Sequence, residues 1–90
     1  MAVYLITYDL CRPRQEYQDL YEAIKSLGPW WHELDSVWVV RSAKSIIEIR
    51  DTLGLCIDSN DKLFVAELTG RAAWYGLSAE SVSWLKNHLS

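Results

Sequence analysis

The 90-residue chain predicts an α+β sandwich in one domain, residues 1–90. Three observations carry this. Doubly apolar or β-rich runs alternate with runs of helical period. Glycine, proline or Asx-rich breaks separate them. No linker, repeat or low-complexity tract divides the chain.

The first run, "AVYLITYDL", is apolar on both parities: Val3, Leu5 and Thr7 against Tyr4, Ile6 and Tyr8. A strand covered on both sides reads this way. Pro13 in "CRPR" ends it. A helix follows from about Gln15 to Leu27, with Tyr17, Leu20, Tyr21, Ile24 and Leu27 in one stripe and Glu16, Asp19, Glu22 and Lys25 outside. Gly28 and Pro29 stop it.

"PWWHELDSVWVV" then reads as two strands, Trp30–Leu34 and Val37–Arg41, around a turn or bulge at "LDSV". A second helix spans about Ala43 to Leu53, with Ile46, Ile49, Arg50 and Leu53 on one side, Ile47 adjacent and Gly54 closing it. "DSND", Asp58 to Asp61, is turn chemistry. "KLFVAEL" is the last strand. Ser78 caps a final helix, Ala79 to Leu89, with a Val82, Leu85, Leu89 stripe flanked by Trp84 and His88. Short connections and right-handed crossovers turn this order into a ferredoxin-like βαββαβ sandwich with an additional C-terminal helix. An open βαβαβ sheet is the alternative, if Trp30 to Arg41 is a single strand.

The totals limit the function. A chain of this size hides about 60–65% of its extended surface, so its core is small. The formal charge of −3 speaks against a general nucleic-acid binder, though not against a local basic patch. Cys11 and Cys56 form no CxxC pair and are expected as idle thiols in a reducing cytosol. "MAVYLITYDL" lacks a basic leader, and no apolar run nears the roughly 20 residues of a membrane span. A cytoplasmic protein without a membrane segment is expected.

Asp9 is the leading site candidate. It ends a buried strand ahead of a loop carrying Arg12 and Arg14, where a carboxylate can hold a divalent cation, cap a helix or pair with an arginine. His32, Glu33 and Asp35 resemble ligands when written in a row, but strand alternation sends His32 one way and the two acids the other. His32 is expected to be hydrogen-bonded inside the fold or at a dimer seam. The Asp58 turn lacks the glycine and glutamate of a calcium loop, since its sixth position is Leu63. Tryptophans can stack bases, but here they alternate with acids that repel phosphate; packing in a core or subunit interface is the expected role.

With these residues in place, the chain resembles the small CRISPR-associated ferredoxin-fold protein of the spacer-integration complex. It resembles virulence-associated protein D more distantly. "ITYDL" is similar to that family's first strand, which ends in Tyr-Asp, and Ser36-Val37-Trp38 to its Ser-Val-Phe step. The pattern "YDL…WWH.LDS.W" is similar to short bacterial proteins labelled SinR-like. That label suits a helix-turn-helix repressor, a motif this chain lacks. The resemblance implies a homodimer whose strand-end aspartates, Asp9 here, approach each other and share Mg²⁺ or Mn²⁺. It implies a metal-dependent endonuclease acting on nucleic acid, with Arg12 or Arg14 steadying a phosphate. Some members of the family are scaffolds that need no catalysis. A dimeric protein-interaction scaffold, antitoxin-like or part of a defence or anti-defence module, is therefore the competing expectation. A small-molecule pocket between the sheet and the last helix is a third.

Overall fold

The computed structural model describes residues 1–11 and 17–89. Its elements are β1 (Ala2–Asp9), α1 (Gln18–Lys25), β2 (Trp30–Leu34), β3 (Val37–Ser42), α2 (Ile46–Gly54), β4 (Lys62–Leu68) and α3 (Ala79–Leu89). The strands form one antiparallel sheet in the order β2-β3-β1-β4. The single-strand alternative for Trp30 to Arg41 is thereby overturned. Asp35 and Ser36 turn the chain back, and Leu34 pairs with Val37.

The doubly apolar β1 occupies a central position between β3 and β4. Its two parities serve two different cores, as period-2 alternation requires. Tyr4 and Ile6 point to the first, with Trp38 and Val40 opposite them on β3. The α1 stripe closes this side through Tyr17, Leu20, Ile24 and Leu27, joined by Ile49 and Leu53 of α2. Ile6, Leu20, Ile24, Ile49 and Leu53 are fully buried. Each contributes about 1.5–3 kcal/mol by leaving water.

The second core is smaller. Trp31, Val39 and Leu85 are buried there, with Val3, Leu68, Leu77, Trp84 and Leu89 packed against them. The additional C-terminal helix thus belongs to the packed fold: α3 covers one end of the sheet's second face. Its buried positions are Ser81 and Leu85, and Trp84 joins the cluster while stacking on His88 at 4.0 Å.

Helix ends differ from the sequence reading by a turn or less. α2 begins at Ile46 because Ser45 and Glu48 form a reciprocal capping box. Ser78 Oγ accepts from Ser81 N–H at 3.2 Å, so Ser78 caps α3 as expected. α1 is described from Gln18 and ends at Lys25, ahead of the expected Leu27. Gly28 lies beyond it with φ +150°. Both cysteines are free, Cys11 exposed and Cys56 half-buried. Among the described residues, no helix is long and apolar enough to cross a membrane.

Candidate functional site

Asp9 stands at the C-terminal end of β1, exposed, directly across the β1–β4 ladder from Lys62. It shares a recess of about 210 Å³ with Thr7, Tyr8, Lys62, Leu63 and Phe64. Arg12 and Arg14, expected as its phosphate-holding neighbours, lie outside the described residues. A divalent cation needs several oxygen ligands converging on one point. Here one carboxylate faces an ammonium-bearing strand position, and no group of three metal-ligating side chains forms among the described residues. Among the described residues, Asp9 has too few converging oxygen ligands for a divalent cation.

The loops at this end are tied by Asp61, which its sequence neighbours mark only as a turn residue. Its Oδ1 accepts from Cys11 N–H at 2.7 Å and from the Tyr17 hydroxyl at 3.2 Å. Its Oδ2 accepts from Asp58 N–H at 2.8 Å. One carboxylate thus joins the ends of β1, α1 and the turn before β4.

A second constellation forms on the helical side of the sheet, between α1 and the β2–β3 hairpin. It is a cleft of about 320 Å³ whose walls include Tyr8, Tyr21, Lys25, His32, Asp35 and Trp38. His32 stacks on Trp38, centroids 3.9 Å apart and planes 3° from parallel. Tyr21 stacks on Trp38 at 6.2 Å, and Trp38 Nε1–H donates to the Tyr8 hydroxyl at 2.9 Å. His32 Nδ1 lies 3.0 Å from the Val37 carbonyl oxygen. A carbonyl only accepts, so Nδ1 carries the hydrogen, and Nε2 of the neutral ring is an acceptor. Burial pushes the Tyr8 phenol above its ordinary range; the Trp38 bond opposes this, while Tyr21 and Asp35 add to the rise.

This cleft corrects the alternation argument. His32 and Asp35 line the same hollow, whereas Glu33 reaches the opposite face. The reason is local. The β2–β3 register shifts between Trp31 and Leu34, and Asp35 lies in the turn beyond the strand, where period 2 no longer applies. The expected hydrogen bonding of His32 within the fold holds.

Glu33 instead caps α3 from across the sheet. Its carboxylate accepts from Ser78 N–H at 3.2 Å, from Ser78 Oγ–H at 3.0 Å and from Ser81 Oγ–H. A carboxylate at a helix N-terminus is favoured by the orphan N–H groups and the helix dipole. The Ser81 and Ser78 bonds hold Glu33 below the usual carboxylate range. Beside this cap runs a groove of about 340 Å³ whose lining includes Trp30, Trp31, His32, Glu33, Ser78 and Trp84. This groove lies where a small-molecule pocket between sheet and last helix is expected.

No family model matches the chain, and no solved structure matches it.

The far end of the second face lies open. Phe64 of β4 is 61% exposed and Leu34 is 47% exposed. Among the described residues β4 is an edge strand of seven residues, paired only with β1 and in unbroken register along it.

Proposed function

We infer that the protein is a ferredoxin-like module working as a homodimeric, non-catalytic scaffold for a protein partner, of the antitoxin-like or defence and anti-defence kind. The ferredoxin-like reading is supported by the strand order β2-β3-β1-β4 with two helices on one face.

The observation that carries the dimer is the β4 edge. A long, regular edge strand with no proline presents unpaired backbone groups to a second strand. The other edge, β2, is shorter and its register is irregular. A two-fold axis through Val65 pairs β4 with its copy, Phe64 facing the partner's Ala66 on one face. This extends the sheet to eight strands and covers the exposed Phe64. Light scattering across a concentration series tests it. A dimer is expected for the wild type and a folded monomer for Phe64→Glu. A wild-type monomer at every concentration overturns the reading.

A second reading, a nuclease of RNA or DNA that uses Mg²⁺ or Mn²⁺, is favoured by one observation: Asp9 is exposed at a strand end beside a recess. Mixed RNA and DNA substrates, incubated with either ion and then with chelator, test it. Cleavage abolished by Asp9→Asn supports the nuclease. Cleavage unchanged in Asp9→Asn, or none at all, removes it.

A further inference from the structure

The cleft between α1 and the hairpin plays no part in the dimer. It holds two opposite charges together with an aromatic wall. Lys25, in the last turn of α1, approaches the face of Trp30 at 5.2 Å. Asp35, in the hairpin turn, lines the same cleft. Among the described residues neither charge has an ion-pair partner. The hollow also offers an acceptor, His32 Nε2, while the Tyr8 hydroxyl is engaged with Trp38 and Tyr21. At about 320 Å³ it is large enough for a small polar molecule.

We propose that this cleft binds a free α-amino acid as its zwitterion. The carboxylate is taken by Lys25. The ammonium is taken by Asp35 and His32 Nε2, against the faces of Tyr21 and Trp38. Each part follows from chemistry. A carboxylate makes its strongest hydrogen bonds with an ammonium donor, and an ammonium with a carboxylate acceptor. Aromatic faces add attraction for a cation. A simple anion leaves Asp35 repelling it, and a simple cation leaves Lys25 doing so. A zwitterion answers both charges at once. The wall is already organised: His32 is held by Val37, and Trp38 by Tyr8, before any ligand arrives.

The experiment titrates each of the twenty standard L-α-amino acids into isotope-labelled full-length protein. The range is roughly 1–10 mM, where a weakly held small ligand saturates. The indole N–H of Trp38 and the backbone amides of Lys25 and Asp35 are followed by NMR. At least one amino acid is expected to shift these signals saturably. Lys25→Gln and Asp35→Asn should each weaken that binding by about tenfold or more, one charge-assisted bond being lost in each. Both residues are exposed, so neither variant threatens the fold. The matching carboxylic acid without its amine, and the amine without its carboxylate, should bind as poorly as the variants. If no amino acid shifts the signals, the proposal fails. It fails equally if both variants bind like the wild type.

Discussion

Tyr8 shows how one side chain serves both packing and polarity. It is half-buried on the helical side of β1, accepting from Trp38. Its phenol is raised above the ordinary 10.0 by burial, against the Trp38 bond and with help from Tyr21 and Asp35. A raised folded value means that the fold disfavours the phenolate. The contribution to stability is therefore whole below the ordinary value and is lost as pH rises through it towards the folded value. Urea midpoints measured from about pH 9 to about pH 12 should fall less steeply for Tyr8→Phe than for the wild type. Gly28 gives a second test. Its φ of +150° disfavours any L side chain, and an added Cβ would collide with the Arg41 carbonyl oxygen. That oxygen is backbone and cannot rotate away. Gly28→Ala should cost on the order of 2–4 kcal/mol, read as a lowered urea midpoint with an unchanged slope. The sequence marks Gly28 as a helix stop. It does not reveal that the backbone of β3 lies against it, because that neighbour is thirteen residues away.

At the scale of elements, α3 depends on a residue outside itself. Glu33 of β2 supplies acceptors for Ser78 and Ser81 at the helix start. Its carboxyl is held below the ordinary 4.5 by those bonds. A lowered folded value gives stability that is present above the ordinary value and is lost as pH falls through the folded one. The protection factors of the α3 amides, corrected for the slower intrinsic exchange at low pH, should fall on acidification before those of β1 and β3. Glu33→Gln should raise α3 exchange at neutral pH and remove most of this acid response. The helix itself is legible from Ser78 and the Leu85 stripe. The Glu33 cap is not, because 45 residues separate the carboxylate from Ser78. The capping box of α2 differs: Ser45 and Glu48 are three apart and readable by spacing alone. Ser45→Ala should cost about 0.5–2 kcal/mol in thermal or urea unfolding.

For the whole molecule, the sheet is covered unequally. α1 and α2 close one face, while α3 closes only part of the other. A β4-paired dimer couples folding to association, so the melting temperature should rise with protein concentration. Phe64→Glu should abolish that dependence while leaving the far-ultraviolet circular dichroism unchanged. A concentration-independent wild-type melt would leave β4 an unpaired edge and count against the scaffold reading.

Local chemistry determined most of the elements. Apolar period, glycine and proline breaks, and the Ser78 cap place strands and helices within about a turn, because each signal acts over a few neighbouring residues. The two-sided burial of β1 was also legible, since a central strand must be apolar on both parities. What only the tertiary structure decided is which distant groups meet. The shift between Trp31 and Leu34, with the turn after it, sends His32 and Asp35 into one cleft and Glu33 to the helix on the other face. Asp9, prominent in the sequence, faces Lys62. Strand alternation holds only while the ladder stays in register, and a single shift reassigns every polar side chain beyond it.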